Sequence, residues 1–406
     1  MKKINYIFLL GILLNSCNTD NSEPLKEGVW RAQMVLMDEQ ILPFNFQLKR
    51  NDSGYEMEVY NAEEVVQIDE IHLQKDSIVI QMPVFEGYIA GIFNDSVIQG
   101  EFIKESLDRY VPFKAIYGDS NRFKPSTEAQ ADISGNWETK FSAETDDEYL
   151  AKGIFKQIEN KVTGTFRTNT GDYRYLEGVV DGDSLRLSTF DGAHAFLFTA
   201  KVTDSSLSGI FYSGNHFKEP FTGRRNESFE LADEESLTFL KEGYDEFQFS
   251  FPNSDGELIT LKDQRYKNKV VVVQIMGTWC PNCLDETKFL SEYVKSKKHA
   301  NLEVVALAFE YAKTEELAFK GINRLKERVG VPYPILLAQY GSSSKSKANE
   351  KLPMLNHVLS YPTTIFIDKM GKVRKIHTGF NGPATGQKFL DFQEEFDGDI
   401  GLLLKE

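Results

Sequence analysis

The sequence predicts a multidomain chain: two all-β repeats, each an antiparallel barrel or sandwich, followed by one C-terminal α/β domain. Three observations predict it. Short apolar–polar alternation, broken by Asp-Ser, Asn-Asp and Gly-Asp turns, runs from Glu27 to about Glu227. Within that span a pattern returns at an offset of 107 to 109 residues. Beyond it, buried-strand runs alternate with amphipathic helical stretches.

Composition fits a chain of this kind. The 406 residues are 41% hydrophobic and 26% charged, enough for two or three cored domains. With 46 Lys and Arg against 61 Asp and Glu, the formal net charge is −15. Phosphate binding needs clustered cations, so a nucleic-acid partner is excluded as a working reading. The one basic knot, Lys295, Lys297, Lys298 and His299, reads as the solvated end of a helix. The 6 His are scattered with no pair at helical ligand spacing, and 3 Cys cannot build a four-thiolate zinc site. No metal site and no cofactor are expected.

Residues 1–16 read as an export signal. Lys2 and Lys3 precede a mostly apolar run, Ile4 to Leu14, too short to span a bilayer but long enough for a signal-peptide core. Leu14-Asn15-Ser16-Cys17 resembles the lipobox of bacterial lipoproteins, which implies cleavage before Cys17 and acylation of its thiol. A plain secretory signal with an incidental cysteine is the alternative. Either way the chain is exported to the cell envelope, facing the periplasm or the surface. Residues 17–26 form a tether, and Cys17 would hold the chain to the membrane through lipid.

The repeats are placed at 27–122 and 132–227. Gly28-Val29-Trp30 returns as Gly135-Asn136-Trp137, and Asp76-Ser77-Ile78 as Asp183-Ser184-Leu185. Asn94-Asp95-Ser96 with Gly100 matches Thr203-Asp204-Ser205 with Gly209, and Pro112-Phe113 matches Pro220-Phe221. Gly-x-Trp at the head of a β unit resembles the start of a lipocalin-type barrel. Two readings stay open: a ligand cavity, or a tryptophan plugging a small filled barrel. Residues 228–246 are acidic, with Leu237, Phe239 and Leu240 suggesting a short linker helix.

The third domain, 247–398, carries the chemistry. Val270 to Met276 is a buried strand ended by Gly277, and Phe289, Leu290, Tyr293 and Val294 share one face of the helix that follows. Cys280-Pro281-Asn282-Cys283 falls between them. There the first cysteine meets the helix N-terminus, whose free N–H groups and dipole stabilise a thiolate. Cys280 is therefore the expected nucleophile and Cys283 the resolving thiol. Val304 to Phe309 is a second buried strand. Thr314 caps the next helix, Gly330 ends it, and a last helix is placed at 386–396.

Trp279-Cys280-Pro281-Asn282-Cys283 resembles the active site of the thioredoxin superfamily, and its surroundings resemble the TlpA-like branch. Phe251, Asp255-Gly256 and Leu261 match the approach to the catalytic strand, and Glu286 stands three residues after the second cysteine. Tyr361-Pro362-Thr363-Thr364 matches the cis-proline loop. The resemblance implies a C-terminal thioredoxin fold, a cis peptide before Pro362, and a redox disulfide between Cys280 and Cys283. It further implies a partly buried Glu286 that moves protons for Cys283, with Trp279 and Tyr361 facing the substrate. Gln274 stands where thioredoxin has a buried Asp.

The expected activity is thiol-disulfide exchange with protein thiols or disulfides, in the reductive direction, served by an unidentified electron donor or acceptor. A thiol peroxidase would need Pro and Thr where Val273 and Gly277 stand. Two other readings stay open: a ligand- or partner-binding lipoprotein with an accessory redox domain, and copper or zinc handling by the dithiol.

Overall fold

The computed structural model describes residues 24–297 and 299–406. The signal segment, Cys17 and most of the tether lie outside the described residues.

In the first β unit nine antiparallel strands run from Gly28–Val35 to Arg109–Tyr117. These first and last strands pair with each other, so the meander curls on itself. Its two edges, Glu64–Ile68 and Glu70–Gln74, are chain neighbours separated only by Asp69. The second unit closes fully. Lys161–Thr168 pairs with both Tyr149–Ile158 and Leu176–Asp181, while Gly135–Phe141 joins Tyr149–Ile158 to Phe217–Arg225. Closure removes free edges, a standing hazard of isolated sheets.

The repeated motifs occupy matching places. Trp30 and Trp137 are both fully buried, and each indole N–H donates to the carbonyl four residues earlier, Lys26 at 3.0 Å and Ile133 at 2.8 Å. Asp76 and Asp183 precede the matching strands Ser77–Gln81 and Ser184–Phe190. Phe141, Phe166, Phe198 and Phe221 fill the second barrel. Of the two readings of the Gly-x-Trp signal, the filled barrel is the one this unit forms.

The C-terminal domain is a five-stranded sheet ordered Ile335–Gln339, Leu302–Phe309, Val270–Met276, Thr363–Ile367, Val373–Thr378. The first three are parallel, and the last two form an antiparallel hairpin. Every residue of the central strand is buried, as its β-branched run requires.

Two expectations need correction. The helix placed in 228–246 does not form. Its polar groups are spent across to the C-terminal domain: Lys241 N–H donates to Met354 O, Thr378 N–H to Glu234 O, and Asn356 N–H to Phe239 O. A chain paired sideways like this has no i−4 ladder to build. The final helix runs further than 396, through Gln387–Lys405. Phe392, Phe396, Ile400 and Leu403 continue one buried face past that point.

Candidate active site

The strand Val270–Met276 delivers the chain to Gly277, and the helix Pro281–Lys297 starts four residues later with proline at its first position. Cys280 and Cys283 are joined in a disulfide, with Cα atoms 5.2 Å apart. Cys280 sits where the helix begins: Leu284 N–H donates to its carbonyl at 3.0 Å, and Cys283 N–H points at its sulfur from 3.1 Å. Cys283 is fully buried and Cys280 keeps 6% exposure. The peptide before Pro362 is cis, and the Tyr361 carbonyl oxygen lies 3.4 Å from Cys280 Sγ. Residues 81 positions apart in sequence thus meet at one sulfur.

Trp279 packs edge-on to Tyr361 at 5.5 Å between ring centroids, and its indole N–H donates to Phe309 O at 2.9 Å. Gly277 makes room for it, since a Cβ at 277 would lie 2.4 Å from Trp279 Nε1.

Beneath the dithiol, Glu286 is fully buried rather than partly so. The Gln274 Nε2 amide donates to it at 2.8 Å, and the Thr364 hydroxyl donates at 2.5 Å. Burial pushes its carboxyl up to about 7, against the pull of these two donors. The same Gln274 amide reaches the Cys283 carbonyl at 3.3 Å, and its own oxygen accepts from Thr287 at 3.1 Å. Gln274 therefore links Glu286 to the backbone of the second cysteine, a role its sequence position concealed.

A second buried acid escaped the sequence reading. Glu310 accepts from Thr278 N–H at 2.8 Å and from the Thr278 hydroxyl at 2.7 Å, fixing the turn that precedes Trp279. Burial raises it to about 7 as well. The signal for it was an acid directly after the apolar run Val304 to Phe309. Among the described residues, no group of three or more His, Cys, Asp or Glu is arranged to hold a metal ion.

The β units reach the site. Arg174, buried in the loop between Gly171–Asp172 and Leu176–Asp181, pairs with Asp285 two residues beyond Cys283 and with Glu64 of the first β unit. Asp191 lies 3.7 Å from its Nε. At the seam of the first unit, Arg324 and Arg328 of the helix Glu315–Val329 pair with Glu70 and Asp69. The turn between Lys161–Thr168 and Gly171–Asp172 lies on the dithiol loop itself, where Asn282 Nδ2 donates to Asp172 O at 3.2 Å.

The Redoxin family profile matches residues 244–389. A thioredoxin-like protein of Bacillus subtilis, YneN, is 29% identical over 141 residues, 34% of this chain and 73% of its own. The thiol-disulfide oxidoreductase ResA of the same organism is 28% identical over 140 residues, 34% of this chain and 69% of its own. ResA of Halalkalibacterium halodurans is 26% identical over 195 residues, 47% of this chain and 88% of its own.

Proposed function

We propose that this chain, whose C-terminal domain belongs to the TlpA-like branch of the thioredoxin superfamily and makes it a thiol-disulfide oxidoreductase, is a lipid-anchored reductase of protein disulfides. The observation that carries the reading is the Cys280–Cys283 pair at a helix N-terminus with the Tyr361-cis-Pro362 loop against its first sulfur. In the reduced enzyme the Cys280 thiolate attacks a substrate disulfide and releases one substrate thiolate. Cys283 then attacks the Cys280 sulfur of the mixed disulfide, freeing the second thiol and leaving the enzyme disulfide. Two electrons pass to the substrate, and an external dithiol must return them.

Glu286 is the proton carrier for Cys283 in this reading, supported by the Gln274 amide that touches both. Tyr361 offers backbone to an extended substrate, and Trp279 walls the same face. The filled second barrel supports a scaffolding role for the β half over a ligand store. Anchoring through Cys17, on the cell-envelope side of a membrane, rests on Lys2, Lys3, the apolar run and the Leu14–Cys17 motif. The reductive direction rests on the likeness to the TlpA-like branch.

The test is the reduction potential of the chain from Asn18 onward in a thiol redox buffer, with Cys280→Ser as control. A value near about −250 mV or lower supports a reductase, while one near roughly −120 mV makes it an oxidant. Absence of any two-electron step would refute the reading. Acylation is tested separately by radiolabelled fatty acid, which Cys17→Ala should abolish.

A further inference from the structure

Three pieces of the redox domain surround the cis-proline side of the dithiol, and one turn of the second barrel holds all three. Ser360, next to Tyr361, donates its hydroxyl to Thr170 O at 2.7 Å. Asn282, between the cysteines, donates to Asp172 O at 3.2 Å. Gly382 N–H donates to the Asp172 carboxylate at 2.6 Å. The fit has no slack. A Cβ at Gly171 would lie 2.1 Å from Asn282 Nδ2, and one at Gly379 would lie 3.0 Å from Asn169 O. A cleft of about 710 Å³ remains on this flank, but it meets the dithiol loop only at Asn282.

The other half is open. A cleft of about 730 Å³ runs from Thr278 and Trp279 between the helix Glu315–Val329 and the first β unit, lined by Tyr88, Tyr311 and Leu317 among others. Leu317 stands 47% exposed at its wall. Such a volume lies in the range of sites that enclose a small ligand or a few residues of chain.

We propose that the turn Thr168–Asp172 is a specificity element, which covers the Ser360, Asn282 and Gly382 flank of the dithiol and admits substrate to Cys280 and the Tyr361 backbone from the Trp279 cleft. The occupant is a single extended peptide segment carrying one half of a disulfide, with its side chains against Trp279 and Tyr311. The enzyme then selects unfolded or loop-borne disulfides over those set in a folded surface. This rests on the oxidoreductase reading, and the exchange chemistry is the same: substrate disulfide reduced to two thiols, enzyme dithiol oxidised to disulfide.

The experiment uses the reduced chain from Asn18 to Glu406 and three substrates. These are glutathione disulfide, an unstructured peptide mixed with glutathione through one cysteine, and native insulin. The unmodified chain should react with the first two at least about tenfold faster than with insulin. Gly171→Ala, whose methyl must push the turn off Asn282, should raise the insulin rate about tenfold and leave glutathione disulfide unchanged. Leu317→Trp, which narrows the cleft without touching the turn, should slow the peptide by a similar factor at unchanged reduction potential. Equal rates on insulin for the unmodified and Gly171→Ala chains would overturn the proposal. So would an unaltered peptide rate in Leu317→Trp, which covers the case of a Gly171→Ala chain that fails to fold. Inertness toward all three substrates would instead sink the oxidoreductase reading, and this inference with it.

Discussion

Replacing Glu286 by Gln should make the protein more stable at alkaline pH and slightly less stable in acid. The carboxyl is fully buried, and burial pushes it up to about 7 in the fold from an ordinary 4.5. A raised carboxyl pKa means stability fully present below pH 4.5 and lost as pH rises through 7. The separation corresponds to about 3 kcal/mol at its full extent. Gln can still accept from Gln274 and donate to the Thr364 oxygen, but the Thr364 hydroxyl proton then needs a new acceptor, at a cost of about 1 kcal/mol. The variant should thus fall below the parent by about 1 kcal/mol near pH 4.5 and exceed it by about 2 kcal/mol above pH 7. The assay is denaturant unfolding of the oxidised protein at several pH values from about 5 to 8, with the cysteines locked so that they do not titrate. Parallel stability curves across that range would refute a proton on Glu286 near neutrality, and with it the proton-carrier role.

Gly277→Ala should cost about 1–3 kcal/mol, because the new methyl displaces the Trp279 indole and its bond to Phe309; thermal melting and a change in that half-buried tryptophan's fluorescence would report it. Arg174→Met should cost about 3–5 kcal/mol by leaving Glu64 and Asp285 without their cation, and protease resistance of the β half should fall with it. Gln274→Leu removes one of the two donors holding down the Glu286 carboxyl, so the titration of Glu286 should move further up, read by the carboxyl stretch in the infrared.

The dithiol and its strand–turn–helix setting were legible because local pattern carries them, a β-branched run and a Cys-x-x-Cys spacing; the cis peptide at Pro362 was legible only through the likeness to the thioredoxin superfamily, since an X-Pro bond ahead of a strand is ordinarily trans. The β duplication was legible through its turn residues, which recur because each turn fixes the same strand ends. Glu286 shows where pattern stops. Beside Asp285 in a first helical turn it reads as half-solvated, and only the arrival of Gln274 from 12 residues upstream and Thr364 from 78 downstream makes it buried. The turn Thr168–Asp172 gave no signal either, since Thr-Gly-Asp looks like any hairpin tip until another domain rests on it. The acidic strap 228–246 misled for the complementary reason: its apolar residues sit at helical spacing, yet they serve a sideways docking.

Arg174 makes the redox domain hard to transplant. In the intact chain the carboxylate of Asp285, two residues beyond Cys283, is answered by a guanidinium that belongs to a different folding unit. Cut the chain between the second barrel and residue 247, and that negative charge stays beside the dithiol with its counterion gone. An uncompensated negative charge near a thiolate disfavours it. A potential or a thiol pKa measured on the excised fragment would describe a different enzyme. Grafting this domain onto another carrier calls for a repair at position 285, such as Asp285→Asn, before its chemistry can be compared with that of its parent.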